Sequence, residues 1–483
     1  MRSPLCRFLI VVFDSLRPDS LSANQTPNLY EFCRGGAVFS KSRAVFPTLT
    51  RVNKVSLVTG ATPSNHGVLF NMFYDPAVFQ DRIVDIGDMD DVLAADAGGR
   101  RLITAPTLGE ILARSGRKLA AVHTGMPGAP WLVNYRGAQL GHCHFSIHGP
   151  QFSTPVDLAT EVVERLGAIP AARHPNRPRL DYAVNAFLEV VYPRTQPDVA
   201  ILWLNEPDHT SHHYPTGSAV MAEALQGIDD VFGRILAWWA AKGRRDGVQI
   251  IAMSDHGCIP GHTRLDINGL LNQAGFPAGR DPSAEGGIVS LPGSVGAIYL
   301  RGTRKHLLPD IVGWMQNQAW CGHLFTDGPA GVEGRVPGTF SHFLAGIAHR
   351  RAPDLVYTLR SRTGGEGCYY DSGKPVDTGQ HGGLNPLEIH NVLAFGGEAF
   401  AGAHRSSAPA GIVDIAPTVL DLMGLAIPPS MTGRALREAY AAAPQDSAQV
   451  REQIYETGTG NYTQRVRIYE QGSHRYIDEG WLD

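Results

Sequence analysis

Cysteine is scarce in this chain of 483 residues, and Cys6, Cys33, Cys143, Cys258, Cys321 and Cys368 are scattered without any C-x-x-C spacing. That argues against a zinc ribbon, a dithiol redox motif or a dense disulfide framework, and the six read as mostly reduced thiols. Long hydrophobic runs are also missing. No segment approaches the roughly 18 continuous apolar residues of a membrane span, so no membrane partner is expected. Charge of one sign is lacking too: 42 Lys and Arg stand against 46 Asp and Glu, for a formal net charge of -4. A protein that tracks nucleic acid by bulk electrostatics needs a basic excess, so no stable nucleic-acid partner is expected. Internal repeats, heptads and low-complexity tracts are absent.

The start, MRSPLCRFLIVVFDS, carries two arginines and an apolar run in the manner of a short secretory leader. Arg7 interrupts the run, no small-residue cleavage site follows, and the apolar stretch flows directly into Asp14. A buried first strand is the better reading. The expected location is the cytoplasm, with the periplasm as the alternative.

Several short apolar runs end in polar clusters: FLIVVFDS at 8–15, VAILWLNEPDHTSHH at 199–213 and VQIIAMSDHG at 248–257. Continuous apolar strands of this kind suit a parallel sheet covered on both faces. Between them lie helical patterns such as APTLGEILARSGR at 105–117 and AVMAEALQGIDDVFGRILAWWAAKG at 219–243. Alternating strands and helices predict an α/β fold with a doubly wound, mostly parallel sheet flanked by helices. From 258 to 380 the pattern loosens into Gly- and Pro-rich segments, which reads as a cap inserted between a first core part at 1–257 and a second at 381–483. The tail RVRIYEQGSHRYIDEGWLD predicts a hairpin around Gln471-Gly472-Ser473.

In such a sheet ligands gather at the carboxyl ends of the strands. Asp14, Asp208, Asp255 and His256 all fall there, Asp208 and His212 are four apart on one side of a turn, and His381 lies in GQHGG. Metal-assisted hydrolysis needs such carboxylates and imidazoles converging on one or two cations. Any one of them alone also fits a helix cap or a surface position. The stretch FPTLTRVNKVSLVTG, Phe46 to Gly60, raises a related choice. Thr50 precedes a helical run, where a threonine serves either as an N-cap or as a nucleophile aimed at a phosphate on the helix terminus.

Taken in order, VVFDSLRPD, FPTLTRVNKVSLVTGATPSNHGVLFN, NEPDHTSH, SDHG and GQHGG resemble the nucleotide pyrophosphatase/phosphodiesterase branch of the alkaline phosphatase superfamily. The resemblance implies an alkaline phosphatase-like core. It implies one Zn²⁺ held by Asp14, Thr50, Asp255 and His256 and a second by Asp208, His212 and His381, with Mn²⁺ as the alternative metal. It also implies that Thr50 is the nucleophile, forming a phospho-threonine intermediate, and that Asn71 donates to the phosphoryl oxygen from the side opposite the metals. His209 and His213 flank His212, and the residues alone leave either open as the ligand.

The resulting expectation is a two-zinc phosphodiesterase acting on a small phosphodiester, nucleotide or phosphonate substrate. The alternatives are a phosphonate hydrolase, because the block after Thr50 is also similar to phosphonoacetate hydrolases, and a phosphomonoesterase. A metal-dependent mutase and a non-enzymatic binding protein rank below these. Arg51 and Lys54 follow Thr50 where close nucleotide-cleaving relatives often have a bulky apolar or aromatic residue; they suit a second substrate anion, or, for Lys54, a solvated helix face. Phe73 and Tyr74 suit either stacking on a base or packing under the cap. The tract His142, Cys143, His144 and His148 has no adjoining carboxylate, and reads as a loop near the substrate or a surface tract.

Overall fold

Alternate residues of the first strand bury on opposite sides of the central sheet. Leu9, Val11 and Phe13 pack into one hydrophobic cluster and Phe8, Ile10 and Val12 into another. This two-sided burial is why the strand reads as a continuous apolar run. In this computed structural model, which describes residues 6–283, 287–361, 367–442 and 449–483, the sheet has eight strands. Their spatial order is His404–Gly411, Ala37–Arg43, Leu393–Gly396, Val248–Met253, Arg7–Phe13, Val199–Leu204, Leu119–His123 and Cys143–Ser146. Seven run parallel; Leu393–Gly396 alone is antiparallel to both neighbours. Residues of the helices Pro27–Gly35, Val156–Leu166 and Ala219–Trp238 enter one cluster, and residues of Thr50–Thr59, Leu108–Arg114 and Ile415–Leu422 enter the other. The fold is thus the expected α/β one with a mostly parallel sheet. No helix among the described residues is long and apolar enough to cross a membrane.

Residues after 257 are more regular than their loosened pattern indicates. They contribute a six-stranded sheet ordered Ala278–Gly279, Ile288–Leu291, Val295–Leu300, Leu355–Leu359, Cys321–Thr326 and Phe340–Ser341, with the helix Leu308–Gln316 packed in its own apolar cluster. The Gly- and Pro-rich segment FTDGPAGVEGRVPG runs from the strand Cys321–Thr326 to Phe340–Ser341 largely as bends and turns; part of GFPAGRDPSAEGG lies outside the described residues. The tail forms the expected hairpin: Tyr462–Gln471 pairs with His474–Leu482, turning through Gly472 at a positive φ of 62°. Val450–Thr459 adds a third strand. Gln464 ties this tail to the second sheet, accepting from the Leu324 N–H and donating to the Leu324 carbonyl. A buried Arg43–Asp478 ion pair ties it to the central sheet.

Candidate active site

Thr50 is the first residue of its helix, not the cap; Leu49 holds the cap position and makes no side-chain capping bond. The Thr50 hydroxyl therefore has no helix N–H to serve. It lies 3.0 Å from His256 Nε2 and 3.4 Å from Asp14 Oδ1. Thr48, two residues earlier, is the structural one: its hydroxyl accepts from the Gly382 N–H and donates to the Gly383 carbonyl, stapling the segment before the helix to the loop after His381. Gly382 permits that approach with a φ of 134°, where a Cβ would meet Val295 at 2.5 Å.

Asp14, Asp255 and His256 bring their ligand atoms within 4.8 Å of one another, and so do Asp208, His212 and His381. The two trios adjoin, because the rings of His256 and His381 stack at 4.0 Å. Each histidine is oriented in the same way. Its Nδ1–H donates to a backbone carbonyl: Gly257 for His256 at 2.9 Å, Gly379 for His212 at 2.8 Å and Thr48 for His381 at 2.9 Å. That fixes the tautomer and leaves the Nε2 lone pair toward the carboxylates, the orientation metal-binding histidines need. Nε2 of His212 and His381 lie 3.2 and 3.5 Å from Asp208, and Nε2 of His256 lies 3.4 Å from Asp255.

The carboxylates are held from behind. Asp255 Oδ1 accepts the backbone N–H groups of Ser15 and His256, while Asp14 Oδ2 accepts from the Trp203 indole at 3.0 Å. Their other oxygens face inward, and buried Asp208 Oδ1 and Asp255 Oδ2 have no hydrogen-bond partner. Unpaired buried carboxylate oxygens are costly. Three Asp and three His donors with two such orphans fit divalent cations, and the mixed imidazole and carboxylate set suits zinc. The charges are strongly coupled. Burial, then repulsion from Asp255, raises Asp14 to about 8. Burial would also raise Asp208, but His212 and His381 hold it well below the usual carboxylate range. For His256, Asp255 and Asp14 outweigh burial and raise it.

The sequence pattern of type I phosphodiesterases / nucleotide pyrophosphatases matches residues 8–318. The chain belongs to that family. With it comes membership of the alkaline phosphatase superfamily, and the family is metal-dependent. Among curated relatives, the human bis(5'-adenosyl)-triphosphatase ENPP4 is 26% identical over 252 residues, 52% of this chain and 47% of that protein. The venom phosphodiesterase of Naja atra is 25% identical over 259 residues, 53% of this chain and 26% of the relative. The chain thus spans about half or less of the length of these relatives. The solved structure of murine ENPP5 superposes with a TM-score of 0.62 at 17% identity, covering 88% of this chain and 96% of that one. An inactive form of murine ENPP5 in complex with AMP gives 0.61.

This family member departs from the sequence reading at several positions. Lys54 is not on a solvated helix face. Its side chain is 2% exposed, with Nζ 3.7 Å from Asp14 Oδ2 and 3.8 Å from the Trp203 ring centroid. The reason is that Val52 to Thr59 are all buried, so the helix has no solvent side after its first turn. Arg51 is committed to Asp85 at 2.7 Å and to the Asn71 carbonyl. Asn71 Oδ1 accepts the Arg51 N–H, and among the described residues its side-chain N–H groups have no protein partner; Asn71 lines the Thr50 cavity.

That cavity, of about 670 Å³, is lined by Thr50, by Asp14 of the first trio and all of the second, by apolar Leu49, Phe70, Met72 and Val295, and by His123, Arg179 and Lys374. Tyr74 and Phe73 are buried and pack within an apolar cluster. In the histidine tract, His142 and His144 bond to structural partners, Leu119 and Gly109 for the first and Asn134 and Phe152 for the second. His148 reaches the cavity. His209 stacks on His174 and His213 packs tilted against it; both line the cavity but belong to neither trio. Sequence reasoning missed Trp203, His123 and Lys374. An indole one residue before the end of an apolar strand was the only signal for Trp203, and the other two had none.

Proposed function

We propose that this protein is a two-zinc phosphoryl hydrolase, a phosphodiesterase/nucleotide pyrophosphatase that works through a phospho-Thr50 intermediate. The observation that carries the reading is the Thr50 hydroxyl, presented at a helix start within 3.0 Å of His256 Nε2 and 3.4 Å of Asp14, with the second trio adjoining. Asp14, Asp255 and His256 would hold one cation together with Thr50, and Asp208, His212 and His381 the other; Mn²⁺ is the alternative to Zn²⁺. When bound, such cations lower the pKa of the hydroxyl and neutralise charge on the leaving oxygen.

The residues supply the rest. Thr50 Oγ1 gives up its proton and forms a bond to phosphorus as the opposite ester or anhydride bond breaks. The Asn71 amide donates to a phosphoryl oxygen across from the trios. Water then attacks phospho-Thr50 from the face the leaving group vacated, returning the hydroxyl. Leu49, Phe70, Met72 and Val295 give the cavity an apolar flank, and residues 258–380 act as its cap. Nucleotides are the substrate class favoured by the names of the relatives, and other small phosphodiesters fit the same chemistry.

The test is a steady-state panel on zinc-loaded protein with an aryl phosphodiester, an aryl phosphomonoester, a nucleoside triphosphate and phosphonoacetate. Diester or nucleotide turnover that falls at least about 1,000-fold in Thr50→Ala is the expected result. If Thr50→Ala binds zinc normally and keeps the parent rate, the mechanism is wrong.

A further inference from the structure

Of the cations around the cavity, Arg51 is paired with Asp85 and Lys54 with Asp14; Arg179 donates to the Pro170 carbonyl, and Arg280 lies on the wall as well, but neither bonds to the ligand trios among the described residues. Lys374 lines the same cavity and has no carboxylate within ion-pair distance among the described residues. Among the described residues its ammonium has hydrogen-bonding contacts only with the ring of His212, 2.7 Å from Nδ1 and 2.8 Å from Nε2. The Nδ1 hydrogen is already given to the Gly379 carbonyl, so that nitrogen accepts nothing. Three N–H donors therefore share one acceptor. That acceptor, His212 Nε2, is the lone pair that faces Asp208. Once a cation takes it, Lys374 has no protein partner left. Its backbone is anchored at the cavity wall: the Tyr370 hydroxyl donates to its carbonyl and its own N–H donates to Ser372, so the ammonium is tethered within reach of the trio.

Its position gives the unpaired charge a use. On the reading under Proposed function, Thr50 attacks from the side of Asp14, Asp255 and His256, and an in-line displacement sends the leaving oxygen toward the adjoining Asp208, His212 and His381 trio. Lys374 stands beside that trio. We propose that Lys374 binds a second anionic group on the leaving portion of the substrate, within a few bonds of the scissile linkage. The shared chemistry is a compact anion: the next phosphoryl group of a pyrophosphate linkage, or the carboxylate of a phosphonocarboxylate. Lys374, and not Arg51 or Lys54, then sets the preference for such leaving groups.

The test uses binding, so it does not depend on turnover. Zinc-loaded parent, Lys374→Met and Lys374→Arg proteins are titrated calorimetrically with methylenediphosphonate, phosphonoacetate and methylphosphonate, and the zinc content of each protein is measured alongside. Only the first two ligands carry a second anionic group. The expected result is a preference of the parent for those two that drops about 10- to 100-fold in Lys374→Met, as for a charge-assisted hydrogen bond, and returns in part in Lys374→Arg. A drop confined to one ligand assigns the site to that source. An unchanged preference, or equal weakening of all three ligands with lost zinc, overturns the proposal. A protein that showed this binding pattern but no Thr50-dependent turnover would refute the hydrolase reading alone.

Discussion

Replacing Lys54 by Met removes one positive charge from beneath three aspartates while keeping most of the buried stem. At 3.7 Å from Asp14 Oδ2, unit charges in an effective dielectric near 20 attract by about 4.5 kcal/mol. Truncating one partner of a buried pair typically costs about 3–5 kcal/mol because the other is left uncompensated. The metal-free variant should lose stability on that scale above about pH 8, where Asp14 is ionised, and less at lower pH, where Asp14 carries a proton and needs no counter-charge. Zinc reverses the sign: bound cations neutralise the same carboxylates, and a neighbouring ammonium then repels them. Lys54→Met should therefore melt well below the parent in chelator, close much of that gap in zinc, and bind zinc more tightly. The pH dependence follows. Asp14 is raised to about 8, by burial first and then by Asp255, so between its ordinary 3.8 and that value the folded chain holds a proton the unfolded chain has released. Stability of the metal-free protein falls as pH rises through this window, and falls further without Lys54. Scanning fluorimetry with and without zinc at several pH values reads all of this. A melting shift of the same size in chelator and in zinc would refute the reasoning.

Two other perturbations probe separate links. Asn71→Ala should lower kcat about 100- to 1,000-fold, as loss of one oxyanion donor does, with zinc content unchanged; a fall in bound zinc would assign it a structural role instead. Asp478→Asn should leave Arg43 buried without its counter-charge, at a cost of about 3–5 kcal/mol near neutral pH. Although burial alone would raise the Asp478 carboxyl, His390 and Arg43 hold it far below 3.8. Its contribution is present above that value and lost as pH falls further, so urea melts of parent and variant should converge in acid.

The parts of the site that lie at strand ends were legible because continuous apolar runs stop abruptly in acids: Asp14 after Phe13, Asp208 beyond Leu204, and Asp255 and His256 after Met253. His381 was not legible in that way. It follows Gly379–Gln380, a two-residue strand paired with Pro260 and Ile259, too short for any periodicity; its residue type made it a candidate, and only the family resemblance gave it a place in the site. Lys54 shows a different limit. Polarity along a helix reports exposure only when one side meets solvent, and this helix is enclosed by the sheet on one side and by the apolar residues around Val68 to Phe73 on another. Lys374 had no signal at all, because a lysine in a Gly-Ser-Pro turn is usually solvated and only the fold brings it to His212. The second sheet was underread for a related reason, since its strands are short and separated by turns that dominate the local composition.

The three residues of the first trio all lie at or before His256, whereas the second trio includes His381, beyond the strands of the six-stranded sheet. A chain made from its N-terminus therefore carries one full donor set long before the other. The strand Leu393–Gly396, which lies between Val248–Met253 and Ala37–Arg43, comes off the ribosome later still. On the two-cation reading, a chain that has not yet reached His381 has donors for a single cation and an unclosed sheet, so the phosphate-cutting site we propose is assembled only after that segment is made.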